Sequence, residues 1–311
     1  MDSPNPIFLV GAVRSGSTLL RLMLDAHPRI INPGECDFMF DMVGDGGQFP
    51  DVSAYRRWLS TNRIFQAKHL KINPNLSYCD LIQSFIRQFA RVDTILTMNV
   101  HRNFNRIPYI FPNARYIHLL RDPRDVARSC IGMGWAGHVY HAVDIWQSAE
   151  RSWDQLKPSL NSWQYMEVRY EDVLEDVESG LLKICEFLGQ EYSTHMMDYA
   201  ESSSYSLPDK SLRYQWERKY SKRELQLVEG KIARMMLARK YLLSGHRPVK
   251  PGLFEALMLV AKNKNYRVRH QINRYGIRLY VENILASRLG VRPWMDICQK
   301  RKNQIDIRFL K

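Results

Sequence analysis

Ile7-Phe8-Leu9-Val10-Gly11-Ala12-Val13-Arg14-Ser15-Gly16-Ser17-Thr18-Leu19-Leu20-Arg21 reads as a strand, a tight loop and the start of a helix. Ile7 to Val10 is a short apolar run of strand formers, the pattern of a parallel strand buried on both faces. Gly11 and Gly16 let the chain turn sharply and approach a ligand with no Cβ in the way. From Thr18 the period becomes helical, and Leu19, Leu20, Leu22, Met23 and Ala26 make a broad apolar face that ends before Pro28. The first amides of that helix point into the loop, where Ser15, Ser17 and Thr18 supply hydroxyls and Arg14 a positive charge. Those groups together make an anion site of the kind that holds a phosphate.

The phosphate chemistry turns on a lysine that this loop lacks. Gly11 to Gly16 keeps the spacing of a Walker A loop, but Ser17 stands at the lysine position and the cation comes earlier, as Arg14. An NTPase also needs a second acidic site for Mg²⁺, and no strand here ends in a Walker B-like Asp.

Further along, Phe111-Pro112-Asn113-Ala114 makes a turn and Arg115 to Leu120 a strand. Arg121-Asp122-Pro123-Arg124-Asp125-Val126-Ala127-Arg128-Ser129 then turns into a helix, with Asp122 suited to the N-cap and Pro123 to the first helical position. Arg121 falls at the end of the strand and Ser129 two turns into the helix.

Gly11 to Pro28, GAVRSGSTLLRLMLDAHP, resembles the 5′-phosphosulfate loop of sulfotransferases that use 3′-phosphoadenosine 5′-phosphosulfate (PAPS), nearest the tyrosylprotein and bacterial carbohydrate or small-molecule branches. The Arg121 to Ser129 segment resembles the same family's 3′-phosphate element. The resemblance runs from about Ile7 to Tyr241. It implies that Arg14, Ser15, Gly16, Ser17 and Thr18 hold the 5′-phosphosulfate and that Arg121 and Ser129 hold the 3′-phosphate. Tyr170, in Tyr170-Glu171-Asp172, matches a tyrosine that lies near the adenosine. The polar stretch 201–217 resembles the loop that folds over the nucleotide, where Ser204, Lys210 and Ser211 can reach phosphate. A separate arginine-serine pocket is useful only to a nucleotide with a second phosphate away from its 5′ chain.

Between the two motifs, Arg29 to Phe38 has the Pro33 and Gly34 of a connection. Its Glu35 is the candidate catalytic base and Asp37 the second candidate; the spacing alone allows equally that Glu35 caps the helix of Phe38 to Met42. The Gly-Glu element that follows His-Pro in this branch of the family favours the base. Residues 51–93 read as mostly helical, and Ile95 to Val100 as a strand leading into His101. Where related enzymes carry a Lys-Thr-Pro-like element, this chain has Asn99 and His101. His101 or Arg102 is then the second catalytic cation, or else His101 is a buried, hydrogen-bonded histidine. In Gly132 to Gly137 the glycines fit a mobile substrate loop or a helix end, and His138 and His141 are weak catalytic candidates. Residues 142–157, Tyr165 to Tyr170 and Leu181 to Leu188 read as helix, strand and helix, the last closed by Gly189.

The fold class expected is α/β: a P-loop-like three-layer fold, a mostly parallel sheet with helices on both faces, plus a basic helical C-terminal extension. The division expected is a sulfotransferase domain at 1–245 and a basic extension at 246–311. The net charge of +13 sits mostly in the second part, where fifteen Lys and Arg face four Asp and Glu, a balance of +11. Such an appendage suits an anionic glycan, a membrane surface or nucleic acid, although no nucleic-acid module is recognisable. Cys36, Cys79, Cys130, Cys185 and Cys298 lack CxxC or Cys/His spacing, which indicates neither a disulfide framework nor a metal site. No run of about 18 uncharged apolar residues occurs, and residues 1–6 are too few for a signal peptide, so a soluble cytoplasmic chain is expected.

The function expected is therefore PAPS-dependent O-sulfation of a hydroxyl-bearing acceptor, a glycan or another alcohol or phenol, without a metal, with Glu35, Arg14 and His101 as catalytic residues. A P-loop kinase, a non-catalytic anion or polysaccharide-binding protein and a membrane-associated scaffold driven by the basic tail are the alternatives.

Overall fold

The computed structural model describes residues 5–307; residues 1–4 and 308–311, the outer ends of the two expected segments, lie outside the described residues. Five strands form one sheet: β1 (Ile7–Val10), β2 (Ile30–Ile31), β3 (Ile95–Val100), β4 (Arg115–Leu120) and β5 (Tyr165–Arg169), in the order β2-β3-β1-β4-β5. Every pairing is parallel, with Ile7 opposite both Thr97 and Arg115. Parallel neighbours need crossover connections, and helices supply them.

The helices are α1 (Ser17–Asp25), α2 (Val52–Leu59), α3 (Arg63–Ala67), α4 (Tyr78–Phe89), α5 (Pro123–Gly132), α6 (Val139–Leu156), α7 (Tyr170–Glu175) and α8 (Val177–Leu188). They continue as α9 (Tyr199–Ser202), α10 (Trp216–Lys219), α11 (Lys222–Ala238), α12 (Leu253–Tyr275), α13 (Ile277–Leu289) and α14 (Arg292–Ile307). Because side chains alternate along a strand, Ile7 and Leu9 join Leu20, Met23, Ile184 and Leu188 of α1 and α8 on one face. Phe8 and Val10 join Phe85, Val126, Trp146 and Ile232 of α4, α5, α6 and α11 on the other. The three-layer α/β expectation is met, and the uninterrupted apolar run of β1 follows from burial on both sides.

One local reading changes and one open alternative is resolved. Ile30–Ile31, read as part of a connection, is an edge strand paired with Ile95 and Leu96, and the line of pairing resumes at Glu35 opposite Asn99. Two residues are too few to carry an alternation signal, and Pro33-Gly34 interrupts the strand in the way that suggests a loop. The Gly132 to Gly137 stretch is a helix end: a Cβ on Gly134, whose φ is +75°, would collide with the His270 ring of α12.

A buried charge cluster in the α6 layer has no sequence signature. His118 of β4 stacks on Trp153 and reaches Glu150 at 3.3 Å and Glu167 at 3.4 Å, while Arg239 donates to Glu150 at 2.6 Å. Burial alone would push the His118 imidazolium down, but Glu150 and Glu167 outweigh it and hold its pKa above the ordinary 6.5. The folded value exceeds the unfolded one, so this contribution to stability is complete below about pH 6.5 and fades as pH rises through the folded value. His118→Gln is accordingly expected to cost on the order of 1–3 kcal/mol near pH 6. In thermal melts the gap from wild type should narrow towards pH 9; a gap that widens with pH would refute the charged assignment.

Candidate active site

The groups singled out by the two sequence motifs all arrive at the C-terminal edge of the sheet, the edge at which open α/β sheets take ligands. β1 delivers the Gly11 to Gly16 loop. In it Gly11, Arg14 and Gly16 adopt φ of +148°, +70° and +92°, a run of left-handed turns that only glycine enters without cost. Gly11 also lies so close to β4 that a Cβ there would stand 2.3 Å from the Leu119 carbonyl oxygen. α1 starts with Gly16 at its N-cap, no side chain caps it, and no acidic residue occupies its first turn. The first-turn amides and the positive end of the helix dipole thus face the loop without an internal anion. Ser15 Oγ, 1% exposed, has no hydrogen-bond partner among the described residues. Thr18 is half-buried beside it.

β4 and α5 deliver the second group. Asp122 caps α5 by accepting from the Arg124 amide at 2.9 Å, and Pro123 takes the first helical position as the sequence predicts. Arg121 sits over the Tyr170 ring, its guanidinium carbon 4.4 Å from the ring centroid. One of its terminal nitrogens donates to the Arg14 carbonyl at 3.1 Å and the other to the Leu212 carbonyl at 3.2 Å, while its Nε is buried without a partner. Arg14 in turn donates through Nε to Ser129 Oγ at 2.9 Å. The two sequence motifs, more than a hundred residues apart, are therefore one hydrogen-bonded cluster. Tyr170 packs against the loop itself: a Cβ on Gly16 would stand 2.2 Å from its ring.

Three residues beyond Arg121, Arg124 does a different job. It is 1% exposed, donates twice to Asp122 (2.9 and 2.6 Å) and once to Glu229 (2.9 Å), and stacks on Trp216 at 3.5 Å. Asp125, which burial pushes up to about 6 against the lowering effect of Arg121, accepts from the Gln215 and Trp216 amides and fixes the 201–217 stretch over the site. Of the residues named from that stretch, Lys210 pairs with Glu175 and the Ser211 hydroxyl donates to Asp209. Ser204 makes no contact with the cluster that the structure records, and what the stretch brings to Arg121 is the Leu212 carbonyl.

β3 and the edge beyond β2 deliver the third group. His101 is 6% exposed; its Nδ1 meets the Gly11 carbonyl at 3.0 Å, which makes Nδ1 the donor nitrogen. Nε2 then faces Ser17 Oγ at 3.4 Å and Glu35 Oε1 at 3.9 Å. Glu35 caps no helix: the short turn over Asp37–Met39 starts from Cys36 without a side-chain cap. Its side chain is 44% exposed, open to an incoming molecule on one side and beside His101 on the other. Asp37, the second candidate base, is buried, its Oδ1 accepting from the His101 and Arg102 amides at 2.7 and 3.1 Å. Burial pushes its carboxyl up in spite of His101 and Arg102, and its visible work is to hold the backbone that carries His101. Arg102 is occupied by Asp41 at 2.6 Å, and His138 caps α6 by accepting from the Tyr140 amide.

Two buried amides, Asn99 and Asn32, have a structural role that the sequence motifs do not assign. Asn99 accepts from Asn32 at 3.1 Å and donates to the Ser17 carbonyl at 3.4 Å, and Asn32 accepts from the Gly34 amide at 2.8 Å. Together they tie the Glu35 segment to the start of α1. The Asn-Pro-Gly turn at 32–34 was the available signal.

With this geometry in view, the sequence model of the sulfotransferase family matches residues 6–194, more than half of the chain. A protein of Aquifex aeolicus is 24% identical over 223 residues, which cover 63% of this chain and 27% of that protein. Protein-tyrosine sulfotransferase A of Caenorhabditis elegans is 24% identical over 191 residues, 58% of this chain and 49% of the relative. The chain thus spans about half or less of these two relatives. Among solved structures, the sulfotransferase domain of the Synechococcus PCC 7002 olefin synthase superposes with a TM-score of 0.56 at 25% identity, over 74% of this chain and 95% of that one.

Proposed function

Because the chain belongs to the sulfotransferase family, we propose that it moves the sulfonate of PAPS to an acceptor hydroxyl. The observation that carries this reading is the hydrogen-bonded cluster of Arg14, Ser129 and Arg121 around the uncapped start of α1. One end of the cluster suits a 5′-phosphosulfate and the other a 3′-phosphate, two anions of one nucleotide. In this reading Ser129 and Arg121 exchange their present partners for the 3′-phosphate, and Tyr170 lines the adenosine. Arg14, released from Ser129, turns to the bridging oxygen.

The acceptor oxygen attacks sulfur, the bond from sulfur to the bridging phosphate oxygen breaks, and 3′-phosphoadenosine 5′-phosphate leaves. Glu35 takes the acceptor's proton. Arg14 and the amides of Ser15 to Thr18 stabilise the charge that grows on the leaving oxygen. His101, fixed through Nδ1 to Gly11, offers Nε2 to the space between Ser17 and Glu35, where it takes the place of the Lys-Thr-Pro-like element as the second catalytic group. The acceptor is an alcohol or phenol, which includes glycan hydroxyls and tyrosine. Five free cysteines, four of them buried, support a reducing, cytoplasmic setting.

Arg121→Ala is expected to weaken binding of 3′-phosphoadenosine 5′-phosphate by a factor of about 10 to 100, on the order of 1–3 kcal/mol for a lost charge-assisted contact. The same variant should change affinity for adenosine 5′-phosphate by less than about twofold, because that nucleotide has no 3′-phosphate to lose. Equal losses for the two nucleotides in calorimetric titrations would remove the 3′-phosphate assignment.

A further inference from the structure

The three helices after His246 are docked by one set of faces and leave another set apolar and bare. α12 meets the core through Leu259, Asn263, Tyr266 and His270, residues three or four apart: Asn263 accepts from the Gly137 amide at 2.7 Å, and the Tyr266 hydroxyl donates to the Ile131 carbonyl at 3.0 Å. α14 is held on α3 and the turn before it through Asn303, which donates to the Thr61 carbonyl at 2.8 Å and to Gln66 Oε1 at 3.4 Å. The outward stripe of α12 starts with Leu253, Leu257 and Val260, with Phe254 beside it 76% exposed, and continues one turn on as Lys264 and Arg267. On α13, Ile277, Val281, Leu285 and Leu289 recur every fourth residue, so they share one face, and all four are exposed, Ile277 at 67% and Leu289 at 68%. A helix of a water-soluble surface turns such a stripe inward.

The charge around these stripes is of one sign. Three of the extension's acidic residues are already engaged: Glu255 by Arg223, Glu282 by Arg278 and Arg301, and Asp306 by Arg274. Lys262, Lys264, Arg267, Arg269, Arg288 and Arg292 are exposed and enter no ion pair among the described residues. No helix is long and apolar enough to cross a membrane among the described residues.

We propose that α12 and α13 lie on an anionic lipid surface, their apolar stripes sunk at the acyl boundary and their cations on the headgroups. Both features are needed to choose this occupant. A second copy of the chain would cover the apolar stripes but bring a balance of +11 against the same charge. A glycan or nucleic acid would answer the charge and leave the Leu and Ile side chains in water. An interfacial helix uses both together. The inference concerns residues 246–311 as an appendage to the 1–245 unit and does not depend on the reaction that unit catalyses.

The test is co-sedimentation of the full chain with vesicles of phosphatidylcholine containing phosphatidylglycerol, beside pure phosphatidylcholine vesicles. Binding to the anionic vesicles is expected to exceed binding to the neutral ones by about tenfold or more, and to fall several-fold at high salt. Val281→Asp with Leu285→Asp, and separately Lys264→Glu with Arg267→Glu, should each reduce binding about tenfold or more while circular dichroism melts stay as in wild type. If one pair fails to fold, the other decides. Wild type that stays in solution with anionic vesicles, or variants that bind as it does, would overturn the proposal. So would a dimer in solution that the Val281/Leu285 pair dissociates while vesicles capture nothing; that result would assign the face to a second copy.

Discussion

Glu35→Gln is expected to lose turnover by a factor of about 10² to 10⁴, the range a positioned proton acceptor contributes, while the affinity for 3′-phosphoadenosine 5′-phosphate stays within about twofold. The split follows from where Glu35 stands. It is carried by the edge segment opposite Asn99, on β3, whereas Arg121 and Ser129 belong to β4 and α5, and the side chain it stands beside is His101, with Nε2 at 3.9 Å. Glutamine keeps the size and the place beside His101 but has no basic oxygen for the acceptor's proton. The measurement is initial rate with a good acceptor, beside calorimetric titration with the nucleotide product. Undiminished rates would move the base elsewhere, and Asp37 would be a poor replacement, since it is 1% exposed and its Oδ1 holds two backbone amides. A collapse of nucleotide binding would mean that Glu35 shapes the loop rather than the chemistry.

The second large effect lies outside the chemistry. Arg124→Ala is expected to destabilise the fold by about 3–5 kcal/mol, because it leaves Asp122 and Glu229 as buried charges with their main partner gone. The Arg124 pKa is raised on balance: burial lowers it, and the hydrogen bonds and charges of Asp122 and Glu229 more than offset that. Chemical denaturation gives the comparison, with Arg121→Ala as the control of equal charge change. Arg121 contacts two carbonyls and one ring and stands 4.0 Å from Asp125, a longer pair than either of Arg124's, so its loss should cost less than that of Arg124, on the order of 1–2 kcal/mol. If both variants were equally destabilised, the separation between a structural and a ligand-facing arginine would fail.

That pair also marks how far the sequence could be read. Arg-Asp-Pro-Arg-Asp is a motif whose cap and first-turn proline are local facts, so the strand end and the start of α5 are legible in the sequence. That Arg124 is the buried arginine was not local. Arg124 is buried because Glu229, Trp216 and the Leu242 carbonyl close on it from about a hundred residues away. The Gly11 to Gly16 loop was legible for the same reason that its glycines are needed: close approach to β4 and to Tyr170 leaves no room for a Cβ. β2 was lost because two residues carry no period, and with it went the reason that Glu35 sits beside Asn99 and not beside β1. His118, Glu150 and Glu167 are far apart in sequence, and nothing in their neighbours announced that they meet. The extension was legible as helical and basic, but its charge hid the more informative feature, which is the apolar side chains it leaves outside.

The central claim is that one cluster recognises a nucleotide with phosphates at both the 5′ and the 3′ positions. The most direct test is calorimetric titration of the purified chain with 3′-phosphoadenosine 5′-phosphate, beside adenosine 5′-phosphate and ATP with Mg²⁺. The account predicts that the first binds more tightly than either of the others by about 10- to 100-fold, the worth of a lost charge-assisted phosphate contact. Preference for ATP with Mg²⁺, or equal affinity for nucleotides with and without the 3′-phosphate, would contradict it.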